Sequence, residues 1–232
     1  MHEIISKRKS IRKYDLTPLD EAVLVRIEEK TKQLRPLYPH LAYDIKIVNS
    51  TRGIFNTKAP HYLILSSEVA DGCYENIGFL GQQMDLYFSE NGLGACWLGS
   101  AKPAEAEVSS LPHVIAIAFG NPAEPLHRDI SQFKRKPLEE ISEGSDERLE
   151  AARLAPSALN AQNWFFVAAE GKIHCYRKLA NPLLGFIYNR LHAIDMGIAI
   201  YHLALESEEF HFGKETDAPV RAGYVYTGTV SG

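Results

Sequence analysis

The chain has 232 residues, 45% of them hydrophobic and 23% charged, enough for one large domain or two small ones, which excludes a disordered or collagen-like protein. With 25 basic residues against 29 acidic ones the net charge is −4, so no overall positive field exists to hold DNA or RNA. Cys73, Cys96 and Cys175 are odd in number and form no C-x-x-C pair, residues 1–10 lack the apolar core of an export signal, and no run approaches the ~20 apolar residues of a membrane span, so the expectation is a protein of the reducing cytoplasm.

Thr17-Pro18-Leu19-Asp20 combines a capping hydroxyl, a proline suited to a first helical turn and an acid, which predicts a helix from there to about Leu34, stopped by Pro36 and Pro39. Tyr43, Ile45 and Ile47 alternate with polar residues as in a half-buried strand, and Tyr62–Ser66 is a second strand candidate. Ile77, Leu80, Met84 and Phe88 recur at helical spacing up to Gly92, a natural helix-terminating glycine. Val114–Phe119 reads as a buried strand, and the polar stretch 125–145 as a crossing between two halves. Ser145 is placed to cap a short helix ending before Pro156. Trp164–Ala169 and Lys172–Tyr176 form a hairpin turning at Glu170-Gly171. Ile187, Leu191, Ile194, Ile198, Tyr201 and Leu205 step by four and three, the seam of a long helix that must face another helix, and 222–230 closes the chain as a strand.

Sliding the chain on itself by about 119 residues superposes Gly78 on Gly197, Glu90 on Glu209 and Gly94 on Gly213, and aligns the two long helices and the strands that precede them. This predicts an internal duplication.

Three groups of residues carry chemistry. In Arg8-Lys9-Ser10-Ile11-Arg12 an extended backbone would put 8, 10 and 12 on one side, so that two guanidinium forks and a hydroxyl converge as donors for a terminal phosphate; a solvated basic tail is the plainer alternative. Ala155–Trp164 follows a proline-stopped helix with Ser157, Asn160 and Gln162, whose mixed donors and acceptors suit the edge of a heteroaromatic ring, or simply bond locally within a loop. In Gly92–Gly99 the glycines let backbone approach a flat ligand, but the segment follows a helix and has Trp97 where a dinucleotide fingerprint needs its third glycine. Cys96 reads as a small buried hydrophobe. No G-x-S-x-G, H-E-x-x-H or P-loop occurs, and His202/Glu206 and His192/Asp195 are too few ligands for a metal, so no catalytic or metal-binding residue is assigned; the former pair reads as a polar surface contact.

Taken together, RKSIRKY (8–14), GLGACWLG (92–99), RKPLEEI (135–141) and EAARLAPSALNAQNW (150–164) resemble the signature segments of the FMN-dependent nitroreductase family, in particular a tandem branch in which two halves of one chain imitate the usual homodimer. The resemblance implies an α+β fold of two related helix/sheet halves, at 1–140 and 141–232. It implies FMN held between them, with electrons passing from NAD(P)H to nitro compounds, quinones or similar small acceptors in ping-pong fashion. Carried over by residue, Arg8, Ser10 and Arg12, with Lys9 in the same segment and Arg135 from the crossing, grip the phosphate. Leu98 and Gly99 offer backbone near the flavin N5 edge. Pro156, Ser157, Asn160 and Gln162 cover ring and ribityl chain, and Asn56 meets the pyrimidine edge.

Two departures bear on this. Gln162-Asn163-Trp164 stands where the family has Gln-Pro-Trp, which relaxes the loop. Ser10 and Ser157 also lie 147 residues apart (157 − 10), whereas the family places its clamp and its loop within a few tens of residues. At the 119-residue offset Ser157, Asn160 and Gln162 fall on Tyr38, Leu41 and Tyr43, which cannot repeat their contacts. The expectation is therefore a single flavin site, clamp from the first half and loop from the second, in a chain able to act as a monomer, with the seam of the long helix packed on the 77–88 helix in place of a dimer interface. The alternatives are a flavin store or sensor without turnover, its ring covered by a residue such as Phe186, Tyr188 or Phe212, and a structural protein without flavin.

Overall fold

A computed structural model describes residues 1–53, 57–180 and 185–232, without the side chains of 186 and 187. In chain order the elements are α1 (Glu21–Lys32), β1 (Tyr43–Val48), β2 (Thr51–Arg52), β3 (His61–Ser67), α2 (Cys73–Glu90), β4 (Gly94–Leu98), β5 (Lys102–Pro103), β6 (His113–Gly120), α3 (Leu138–Ile141), β7 (Ser142–Glu143), α4 (Leu149–Leu154), β8 (Trp164–Ala169), β9 (Lys172–Lys178), α5 (Gly185–Leu205), β10 (His211–Gly213) and β11 (Tyr224–Ser231). They build two main sheets, ordered β1-β3-β6-β4 and β7-β8-β9-β11-β10. Apart from the parallel edge strand β7, all pairings within them are antiparallel. The second sheet repeats the first strand for strand, with β8, β9, β11 and β10 in the places of β1, β3, β6 and β4, and each sheet carries its long helix at the same point in the order.

Period-two alternation decides how the first sheet is covered. Leu63, Leu65, Ile115, Ile117 and Phe119 face α2, while Ile64, Ala116, Ala118, Cys96 and Leu98 face a second cluster closed by Ile11 and Tyr14 of the N-terminal segment. Each large aliphatic side chain so buried contributes about 1.5–3 kcal/mol. Helices α2 and α5 cross at two glycines. A Cβ on Gly78 would lie 2.0 Å from the Ile194 carbonyl oxygen and one on Gly197 would lie 1.9 Å from that of Glu75, so only glycine permits the approach at either point. The contact is reciprocal, because Gly197 and Ile194 stand at the same 119-residue offset from Gly78 and Glu75.

Several expectations are met at residue level. Gly92 (φ 79°) ends α2, with the Leu93 N–H on the Phe88 carbonyl at 2.8 Å, and Glu170 (φ 52°) and Gly171 (φ 73°) form the β8–β9 turn. Other details differ. Helix α1 begins at Glu21 rather than near Thr17, because Asp15 Oδ1 takes the Thr17 N–H at 2.9 Å in a local turn and Asp20 supplies the first carbonyl acceptor. Ser145 caps nothing; Asp146 captures the Arg148 N–H (3.0 Å) and guanidinium (2.7 Å), and α4 starts at Leu149. The Gly94–Leu98 stretch, for which the sequence predicts no element, is a strand, β4. Helix α5 is buried on more than its seam: Ala193, Met196, Ala199, Ile200 and Leu203 are also interior, and the side chain of Ile187 lies outside the described residues. His202, expected at the surface, is 1% exposed, bonded to Gln82 and the Ala151 carbonyl, with burial lowering its pKa to about 3. Among the described residues no group of three or more His, Cys, Asp or Glu could hold a metal, and no helix is long and apolar enough to cross a membrane.

Candidate functional site

Residues 8–12 run extended beside β4. Ser10 bridges Ala95, and the Ile11 N–H donates to the Ala95 carbonyl at 2.9 Å, with the Ile11 side chain seated against Gly94. Arg8 is only 3% exposed: its Nε lies 2.8 Å from Oδ2 of the buried Asp85, which also accepts from Trp97 Nε1 at 3.0 Å, and its Nη2 donates to Ser10 Oγ at 2.9 Å. Burial raises the Asp85 pKa, opposed by Arg8 and the Trp97 donor. Arg8 is thus partly engaged from behind, whereas the Arg12 side chain is exposed. Glu124 accepts the backbone N–H groups of Arg12 (2.8 Å) and Lys13 (3.2 Å) and pairs with Lys9 at 3.5 Å; the Arg12 N–H does most to hold its carboxyl below the ordinary range.

The crossing brings in two more guanidinium groups. Arg128 is held by bonds to the carbonyls of Lys7 (3.0 Å, from N) and Arg8 (3.1 Å, from Nε) and lies 3.4 Å over the Phe133 ring. Arg135 donates to the Leu154 carbonyl at 3.1 Å and to Asn160 Oδ1, leaving its buried Nε without a partner. Burial, then the neighbouring cations Arg128, Arg8 and Arg153, lower the Arg135 pKa to about 9; burial and Arg8 lower that of Arg128 to about 10. Neither arginine forms an ion pair among the described residues. Such a cluster is electrostatically incomplete and favours an anion.

The facing wall is the loop after α4. Ala155 is extended (φ −55°, ψ 143°), as a residue before proline must be, and beyond Pro156 three non-glycine residues enter the left-handed region: Leu159 (φ 54°), Asn160 (φ 56°) and Gln162 (φ 48°). Ser157 Oγ accepts from the Gln162 N–H at 3.0 Å and Asn160 Nδ2 donates to the Lys134 carbonyl at 2.6 Å. Gln162, 3% exposed, accepts from the Lys136 N–H at 2.7 Å and donates to the Asn160 carbonyl at 3.0 Å, so it braces the loop from behind.

Between these walls lies a cleft of about 1130 Å³. Arg8, Lys9, Ser10 and Arg12 come to it from the N-terminal segment, Leu98 and Gly99 from the end of β4, Arg135 from the crossing, and Pro156, Ser157 and Asn160 from the loop. Residues 147 positions apart, Ser10 and Ser157, share it. Of the expected site residues, Gln162 is not on its surface and Asn56 lies outside the described residues, next to Thr57, which does line it. Arg128 and Leu191 also line it and were not anticipated, and the only sign of Arg128 in the sequence is its position in the polar crossing; Trp97 and Tyr188, the latter one of the residues named as able to cover the ring, line it as well. A smaller cavity of about 360 Å³, between the start of α1 and Gly92, contains none of the expected groups.

Two sheets, each backed by a long helix, with an arginine-lined cleft between the N-terminal segment and the loop after α4, make up a fold shared with solved nitroreductase structures. A solved structure from Thermotoga maritima MSB8, described as a "putative nitroreductase", is similar over 98% of this chain and 90% of that one, with a TM-score of 0.67 and 23% identity. An FMN-dependent nitroreductase from Clostridium difficile R20291 matches 58% of this chain and 95% of its own, at a TM-score of 0.45 and 17% identity. No curated protein matches the sequence. The family model described as "Putative TM nitroreductase" matches residues 1–207, and the chain belongs to that nitroreductase family.

Proposed function

We propose that the cleft binds one FMN per chain and that the protein is an NAD(P)H oxidoreductase of nitroreductase type, reducing nitro compounds, quinones or similar small acceptors. The observation that carries this reading is the arginine cluster lining the 1130 Å³ cleft: Arg128 and Arg135 lack an ion-pair partner among the described residues, the Arg135 Nε is buried without a bond, and a phosphate would satisfy all three deficits. In this assignment Arg12, Arg128, Arg135, Lys9 and Ser10 hold the phosphate, and Arg8 is aligned behind them by Asp85. Leu98 and Gly99 present backbone to the N5 edge; a Cβ on Gly99 would meet only Leu191, at 3.4 Å, so the backbone there is approachable. Pro156, Ser157 and Asn160 flank ring and ribityl chain, with Gln162 bracing them, and Asn56 keeps the pyrimidine-edge role that the resemblance implies. When bound, FMN would supply the redox chemistry between reduced nicotinamide and a small acceptor, in ping-pong fashion. The chain's own part is to bind, orient and leave one face open, and no side-chain acid or base is assigned.

The same reading makes residues 1–140 and 141–232 two halves that imitate a homodimer within one chain. It is supported by the matching strand orders of the two sheets and by the reciprocal Gly78 and Gly197 contacts. A single site is supported by what occupies the equivalent of the Ser157 loop. The Tyr38 ring packs so closely on Gly72 that a Cβ there would lie 2.7 Å from it, and meets Phe212 edge-on at 5.7 Å, while Leu41 is buried. Turnover is favoured over storage by the open rim of the cleft, where Leu159 is 87% exposed; of the three residues named as able to cover the ring, Tyr188 lines the cleft but is itself 36% exposed, Phe212 is not in the lining and packs against Tyr38 and Gly228, and the side chain of Phe186 is outside the described residues.

Anaerobic addition of NADH or NADPH to the FMN-loaded protein tests the proposal. Loss of the flavin band at about 450 nm, and its return on adding a quinone or nitro compound, is expected. Protein that takes up no FMN overturns the cofactor assignment, and bound FMN that neither nucleotide bleaches overturns the enzyme in favour of a store.

A further inference from the structure

The 157–163 loop holds an improbable shape. Leu159, Asn160 and Gln162 all occupy the left-handed region, which is unfavourable for Leu159 and Gln162 above all, and such a run persists only where its surroundings over-determine it. Part of that support comes from the crossing, through Lys134, Arg135 and Lys136. Both ends are also held by one helix. Both carboxyl oxygens of Asp195 receive the Ala158 N–H, at 2.9 and 3.1 Å, just before the left-handed residues. Just after them, Asn163 Nδ2 donates to His192 Nε2 at 2.8 Å, while His192 Nδ1 donates to the Lys178 carbonyl at 2.9 Å, which fixes the tautomer that leaves Nε2 free to accept. Residues 192 and 195 are three apart and share a face of α5, so that face pins both ends of the loop.

From this geometry we infer that Asp195 and His192 are positioning residues for the wall of the cleft, and that the loop requires an acceptor oxygen at position 195 rather than a charge. Asp195 is 4% exposed and has no cation or second donor among the described residues, an expensive place for a carboxylate if filling space were its purpose. The first half of the chain supplies the comparison. Asn76 on α2, 119 residues before Asp195, accepts the Tyr38 N–H through Oδ1 at 3.0 Å, and Tyr38 falls on Ser157, the neighbour of Ala158, at the same offset. The same helix-to-loop brace therefore exists twice, made by an amide in one half and a carboxyl in the other, and the common element is the oxygen.

The inference rests on the proposed flavin site for its functional consequence, and on the loop alone for its mechanics, so two measurements separate them. Amide hydrogen exchange of the folded protein without added flavin is read by mass spectrometry, and FMN affinity by fluorescence quenching. Asp195→Leu is expected to speed exchange across 158–162 by about tenfold or more, to weaken FMN binding to a similar degree and to shift the visible band of the bound flavin, while Asp195→Asn stays within about twofold of the parent in all three. His192→Leu is expected to loosen 161–163 instead. Unchanged loop exchange in Asp195→Leu, equal loosening of the whole protein, or an Asp195→Asn variant as defective as Asp195→Leu overturns the inference. Should Asp195→Leu not fold, Asp195→Ala gives the 158–162 reading, and His192→Leu tests the other end of the loop at 161–163. Failure of the parent to take up FMN removes the flavin proposal, and the exchange data still decide the role of α5.

Discussion

Arg135 is the residue on which the electrostatics of the cleft turn, since it is buried, crowded by Arg128, Arg8 and Arg153, and bonded to both the α4 end and Asn160. Replacing it with alanine is expected to weaken FMN binding by about 10- to 100-fold, the worth of one charge-assisted contact to phosphate, measured by equilibrium titration; undiminished affinity would remove it from the phosphate site. Asp195 makes a separate prediction about stability. Burial raises its pKa from 3.8 to about 8, against the opposing Ala158 N–H. A carboxyl whose folded pKa is raised contributes its stabilisation in full below the unfolded pKa, and loses it as pH climbs to the folded value. Between about pH 4 and pH 8 this residue alone should lower stability by up to about 1.4 kcal/mol per pH unit. Denaturant unfolding of Asp195→Asn should show that slope reduced and the variant gaining on the parent as pH rises; identical profiles would mean that the carboxyl is not neutral in the fold. At this scale the sequence was informative where neighbours in the chain are neighbours in space. Arg8, Ser10 and Arg12 need only an extended backbone to share a side. Gln162 was legible as a polar loop residue but not as a brace, because its left-handed backbone turns it towards Lys136, 26 positions away.

At the level of elements, hydrophobic spacing identified α2 and α5 because burial imposes the helical period on whatever sequence forms them. It did not show that α5 is interior on most sides, nor that two isolated glycines are the contact points. Gly78→Ala and Gly197→Ala are each expected to destabilise the protein by about 3 kcal/mol or more, since the new methyl would enter a carbonyl of the opposite helix, and by similar amounts because the contacts are reciprocal. Thermal or denaturant unfolding measures this, with Gly171→Ala, whose Cβ meets nothing within 4 Å, as a control carrying only backbone strain. A crossing that tolerates either alanine would refute close backbone approach as its basis. Short elements were the ones missed. Strand β4 contains Gly94, carries no strand signal of its own, and becomes a strand because β6 offers it a complete ladder of partners.

For the whole molecule the proposal makes a stoichiometric prediction: equilibrium dialysis should find one FMN per chain at saturation, and two would refute the reading of Tyr38 and its neighbours as a filled counterpart of the cleft. Bound flavin should also raise the unfolding temperature, increasingly with its concentration, because only the folded chain joins the N-terminal segment to the second-half loop. Composition, charge and periodicity were enough to establish a globular protein with two long amphipathic helices and a basic segment near residue 10, since these properties are local or follow from averages over the chain. Whether residues 10 and 157 meet, which guanidinium groups lack a counter-charge and which glycines touch were decided by tertiary structure alone. Distances across a fold depend on how the sheets and helices stack, and nothing in the spacing of residues along the chain records that.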